Sequence, residues 1–240
     1  MSTTEPQVFT HGGQSVTLPV RVGHARQAAA TFLVDADAAQ RVIDETGLRV
    51  TRRGGNRALV SLALVEYLEN DLGTYDELAL AFVVDDVPGT PPGPKGSVST
   101  YIHRLPVDGE FTCAAGRGIW GFPKWVADLD VTFDDRGATA VLREGELEVV
   151  RITMRRGPVP LPRRPLHMNA YSYLDGVRRR TPWVTDGVGR QHIRPGGTTV
   201  EVGYGHPLAD ELRSMGFPRR SVVTIFDDHM RATFEAPIVV

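Results

Sequence analysis

Apolar residues recur along most of the chain in short runs bounded by turn-forming clusters. The runs at 58–68, 77–84 and 98–107 each suit a strand, and turn-rich stretches such as 69–74 separate them. Segments 127–133, 138–143, 147–154, 166–173, 198–204 and 221–236 continue the pattern, which makes around nine strands. Residues 35–46 instead carry a helical period, with Asp35 placed to cap the first turn and Gly47 to end the last. Many strands with little helix predict a mainly β (α+β) fold, a barrel or double sandwich with a few helices, and not alternating βαβ units.

The connecting segments fit a single domain spanning 1–240. Residues 86–95 hold four prolines and two glycines, so they form an exposed loop suited to a lid or a subunit contact, with Lys95 solvated. The proline-rich segment 157–165 has the composition of a linker, but the strands on either side are too few to close separate cores, so it is expected as an internal loop. A length of 240 residues with 41% hydrophobic content suffices for one substantial core.

Charge narrows the class of partner. The formal charge of −2 provides no global field to gather nucleic acid or an anionic membrane. The paired and tripled arginines at 155–156, 163–164, 178–180 and 219–220 read as solvated faces among acids. No run approaches the roughly 18 apolar residues of a membrane span, and residues 1–10 lack the basic flank and apolar core of an export signal. With one cysteine, Cys113, no internal disulfide can form. These features lead to the expectation of a cytoplasmic protein acting on a small molecule. The seven histidines show no metal-ligand spacing, so no metal is expected. Neither a phosphate-cradling loop nor a GxSxG elbow occurs, and no cofactor is expected.

The cations are lopsided. Of 27, only Lys95 and Lys124 are lysines, leaving 25 arginines. An amine can lose its proton and attack a carbonyl, which guanidinium cannot do. Lys124 follows Phe122 and Pro123, precedes Trp125, and lies four residues after Trp120. Burial there disfavours the charged amine and pulls its pKa down, which makes it nucleophilic near neutral pH. The plainer alternative is a stem packed on tryptophan with its head in water.

The run Gly116-Arg117, four residues, then Phe122-Pro123-Lys124 resembles the active-site segment of the acetoacetate decarboxylase superfamily. The resemblance continues upstream through Tyr101-Ile102-His103, Asp108 and Glu110, and more loosely over 31–127. It implies that fold, a homo-oligomer, and a cofactor-independent lyase that joins Lys124 to a keto acid as a Schiff base. It assigns Glu77 as the acid–base group, within Tyr75-Asp76-Glu77, and Arg117 as the holder of a substrate carboxylate or the partner of Glu77. Tyr75, Trp120, Phe122 and His103 are expected around the substrate, with a structural role as the alternative for His103.

The chain also departs from the family pattern. Trp125 replaces the second lysine after the nucleophile, Ala63 a second acid, Leu33 an upstream arginine, and Gly118 a glutamate that often follows the arginine. A less charged pocket implies a larger or less polar carbonyl substrate. Decarboxylation of a 3-oxo acid leads the reading. Aldolase or dehydratase chemistry through the same iminium, and a non-catalytic binding barrel that has lost its chemistry, stand beside it.

Overall fold

The computed structural model describes residues 7–91 and 93–240. Residues 1–6, part of the segment read for an export signal, and Pro92 of the proline-rich loop lie outside the described residues. A hairpin of β1 (Val8–His11) and β2 (Gln14–Thr17) precedes β3 (Val20–Asp35), a strand of 16 residues. After α1 (Ala36–Ile43) come β4 (Arg57–Asn70), β5 (Tyr75–Val83) and β6 (Val98–Val107). Then α2 (Glu110–Ala115) runs into a π turn (Gly116–Trp120) that delivers β7 (Lys124–Val126). The strands β8 (Asp128–Phe133), β9 (Gly137–Glu144), β10 (Leu147–Arg155) and β11 (Val159–Pro162) follow. The chain ends with β12 (Leu166–Leu174), β13 (Val177–Gly187), β14 (Arg190–Pro195), β15 (Thr198–Val202), α3 (Pro207–Ser214), β16 (Val223–Phe234) and β17 (Ile238–Val239).

Seven strands in the order β16-β3-β4-β5-β6-β12-β13 close into a barrel through pairing of β13 with β16. The β6–β12 pair is parallel, and the other six are antiparallel. A second sheet, β15-β10-β9-β8, packs against the outside of β3–β5 with α1 and α3 completing the layer. Between the layers lies the main core. Alternation on the barrel strands explains it: Phe32, Leu62, Leu64, Leu78, Leu80 and Phe82 point outward into that core and are almost fully buried. The opposite faces of the same strands, facing into the barrel, carry smaller residues.

The mainly β barrel with a few helices is as expected, and α1 starts on its predicted cap, with the Asp35 side chain accepting from the Ala38 N–H at 2.9 Å. Gly47, at φ 68°, ends the following 3-10 turn in the left-handed region, where glycine is unstrained. Two readings need correction. Segment 157–165 is no plain loop, because β11 forms within it, pairing with β14 at the sheet edge, where prolines remove no ladder bond. Strands also outnumber the expected nine: β3, β13 and β14 were not legible as runs, and 17 form among the described residues.

Leu64→Ala removes a fully buried side chain and is expected to cost about 2–5 kcal/mol. Leu33→Ala, on the same pair of strands but 37% exposed, is expected to stay within about 0.5 kcal/mol. Urea denaturation of both variants against the parent checks the contrast.

Candidate active site

Register brings the two expected catalytic residues together. The short strand β7 runs parallel to β6 with Lys124 beside Leu105, while on the other side of β6 Glu77 pairs with Val107. Three adjacent strands therefore hold the lysine and the glutamate over one end of the barrel interior. The chain reaches β7 through the π turn, which closes on Gly121, in the left-handed region at φ 71°, whose N–H donates back to the Gly116 and Arg117 carbonyls. A Cβ on Gly121 would stand 2.4 Å from the Tyr173 carbonyl oxygen, so the turn needs glycine for space as well as for conformation.

Lys124 is 4% exposed and Glu77 7%. The ammonium Nζ lies 2.8 Å from Glu77 Oε2, and it donates to Thr112 Oγ1 at 3.0 Å and to the Tyr75 hydroxyl at 3.4 Å. Those three partners account for all three hydrogens of the ammonium. The other oxygen of Glu77 accepts from the Tyr67 hydroxyl at 3.2 Å, and the Tyr67 and Tyr75 rings stack at 4.3 Å. Gly116 makes room for the lysine stem, since a Cβ there would meet Lys124 Cδ at 2.6 Å.

The electrostatics differ from the expectation in sign. Burial does pull the Lys124 pKa down, but the Glu77 carboxylate and the Tyr75 hydroxyl outweigh it, and the net direction is up. Lys124 is thus held as an ammonium paired with the Glu77 carboxylate. Burial raises both tyrosines as well, Tyr67 most strongly, so they stay neutral hydroxyls.

A cavity of about 300 Å³ opens from this pair along the barrel interior. Tyr75, Trp120 and Phe122 line it, the last two stacked at 5.5 Å. Among the described residues that line it, Lys124 and Glu77 are the only charged ones. Ala63, at the position of the missing acid, also faces this space.

Other candidates fall elsewhere. Arg117 is exposed and does not line the cavity; its Nη1 donates to the Lys124 carbonyl at 3.2 Å, so it meets the backbone of Lys124 and not Glu77. The π turn faces its side chain away from the barrel interior, which spacing alone does not reveal. His103 points from β6 to α3, with Nε2 2.9 Å from Glu211 Oε2, and takes no part in lining the cavity. Leu33 lies beyond the lining residue Thr31 on the same face of β3, exposed past the end of the cavity, which corrects its reading as a pocket position. Trp125 packs against the outer core. At Gly118, an added Cβ would strike the Phe9 ring at 2.5 Å, so the hairpin occupies the space that a longer side chain needs. Tyr67 and Thr112 are the site residues that the sequence did not single out, while Gly116 entered only as part of the lysine motif.

Two pH responses follow. Glu77→Gln leaves burial as the main influence on Lys124, so the pH profile of its reaction with a small aldehyde under borohydride is expected to move to lower pH; an unchanged profile contradicts the assigned pairing. At Glu211, burial pulls the carboxyl up, but hydrogen bonds from His103 and Arg104 prevail and hold it at about 2, below its ordinary value of 4.5. Its folded pKa is depressed, so its stabilising contribution is present above the unfolded value and is lost as pH falls from 4.5 through about 2. Glu211→Gln is expected to lower the denaturation midpoint at pH 7 and to converge with the parent near pH 2.

Comparison with known proteins places this geometry in context. No match arises among curated protein sequences. The fold is similar to the crystal structure of acetoacetate decarboxylase from Legionella pneumophila, with a TM-score of 0.67 at 18% identity over 92% of this chain and 87% of that one. It is similar also to the enduracididine biosynthesis enzyme MppR complexed with pyruvate, with a TM-score of 0.64 at 13% identity over 92% and 90%. An acetoacetate decarboxylase-like enzyme from Sphingomonas wittichii gives 0.60 at 12% over 97% of both chains. The family model for acetoacetate decarboxylase matches residues 4–226, and with the barrel and the lysine segment in place, the chain belongs to the acetoacetate decarboxylase family.

Proposed function

We infer that the protein is a cofactor-independent carbon–carbon lyase that decarboxylates a 3-oxo acid through a Schiff base on Lys124. The observation that carries this reading is the buried Lys124–Glu77 pair, 2.8 Å apart, at the end of an otherwise uncharged cavity. Glu77 takes a proton from the ammonium, and the freed amine adds to the ketone carbon. Loss of water, with Glu77 returning the proton to the departing hydroxyl, leaves an iminium. In that state two carboxylates, from Glu77 and from the substrate, share one positive nitrogen inside a low-dielectric space. Departure of CO₂ removes one of those anions. The electron pair of the broken carbon–carbon bond passes to the iminium nitrogen and forms a neutral enamine. One proton, entering from solvent through Glu77, then reaches the enamine carbon, and hydrolysis releases the ketone and the amine. Arg117 supports this sequence by holding the Lys124 backbone; the substrate carboxylate finds its cation in the iminium itself.

Aldol chemistry is the second reading, favoured by the space beyond Lys124 and by the structure of MppR complexed with the condensation product of pyruvate and imidazole 4-carboxaldehyde. It uses the same enamine and differs in the electrophile that the carbon meets.

Borohydride trapping with a panel of 3-oxo acids and pyruvate, read by intact mass, tests the Schiff base. An adduct is expected in the parent and absent from Lys124→Arg, which keeps charge without forming the imine. Product analysis of the trapped substrate separates CO₂ release from carbon–carbon bond exchange. Ligand binding with no adduct from any panel member favours a non-catalytic barrel.

A further inference from the structure

The inner face of the barrel beside Glu77 is made of small side chains. On β5, Ala79 and Ala81 follow Glu77 at two and four residues, all pointing into the cavity. Ladder register sets Ala79 beside Ala63 and Ala63 beside Ala29; one row further, Ala81 lies beside Ser61 and Ser61 beside Thr31. All six line the cavity. At a rise of about 3.3 Å per residue, the floor extends roughly 13 Å beyond Glu77.

Its surface is apolar in effect. The Ser61 hydroxyl is turned onto the Ala30 carbonyl at 3.4 Å, and no charged group among the described lining residues follows Glu77 along it. The rim keeps the same character, with Leu166 exposed at 42% and Leu33 at 37%. The outward faces of the same strands carry leucine and phenylalanine packed to full burial. Large residues thus fill the core outside the barrel while small ones leave space within. Such unfilled apolar space destabilises a fold, and a ligand that occupies it returns the lost contacts.

We propose that this channel binds an extended apolar substituent on the carbonyl compound whose carbonyl carbon meets Lys124, so that the substrate class is a 3-oxo acid with a long alkyl or arylalkyl tail and not acetoacetate itself. The inference rests on the Schiff-base reading for the placement of the carbonyl, and on the channel alone for the tail.

A test that separates the two uses the ketones that decarboxylation would release, in a series from acetone to 2-nonanone. Calorimetric titration reads their affinity, and borohydride trapping with intact mass reads their imine, in the parent, in Ala63→Phe and in Ala81→Leu. Affinity in the parent is expected to rise about fourfold per added methylene, the equivalent of about 0.8 kcal/mol, until the channel is full. Each variant is expected to lower the 2-nonanone-to-acetone affinity ratio at least tenfold, and thermal melting identifies any variant that has not folded; Ala81→Leu is the smaller perturbation of the two. Affinity that is flat with length in the parent, or a ratio kept in a folded variant, overturns the channel assignment even when an imine forms. A length gradient without any imine upholds the channel and removes the chemistry proposed for Lys124.

Discussion

An ammonium and a carboxylate taken out of water together must satisfy each other, and almost everything around Lys124 and Glu77 serves that requirement. Desolvation costs several kcal/mol per ion in a protein interior, and the loss is offset only with close geometry and further hydrogen bonds. Here Thr112 and Tyr75 complete the ammonium, and Tyr67 serves the second carboxylate oxygen. The parallel ladder of β6 and β7, the small residue at 116 and the tight turn at 121 all fix where that one nitrogen stands. A buried pair of this kind does little for stability compared with an apolar substitute.

The same pair reconciles two demands that oppose each other. A nucleophile must be unprotonated, whereas a lysine beside a carboxylate is held protonated. Because the proton acceptor is itself the partner, transfer across 2.8 Å turns an ion pair into two neutral groups without moving a heavy atom. A low-dielectric cavity, from which an arriving substrate displaces water, favours the neutral form. Trp125, at the position of the absent second lysine, faces the outer core, so in the proposed chemistry Glu77 is the group left to take the proton of the amine.

The legible parts of the molecule were those with a strong local signature. Lys124 stood out because an amine is rare in this chain and its neighbours are aromatic, and the Asp35 cap and Gly47 stop framed the first helix. Glu77 was reachable through resemblance, and its strand parity then placed it inside. Less was visible where the pattern was weak. Strand β3 carries the run Gln27-Ala28-Ala29-Ala30, residues of low strand preference whose alternation separates a packed face from a cavity face instead of apolar from polar. Strand β13 carries three arginines straight after its first residue, Val177, and contains Pro182, and β11 is half proline. Thr112 lies on a helix of six residues, too short to show a period. Arg117 was misjudged because sequence spacing carries no information about which way a π turn faces its side chains.

Lysine scarcity has a practical corollary. The only other lysine, Lys95, is exposed on the proline-rich segment between β5 and β6, while Lys124 is sealed within the barrel. The molecule therefore offers bulk reagents a single side-chain amine, well separated in sequence from the buried one. Acylating agents too large to enter the barrel can modify Lys95, in competition with the α-amine of the chain, while the interior nitrogen stays unmodified.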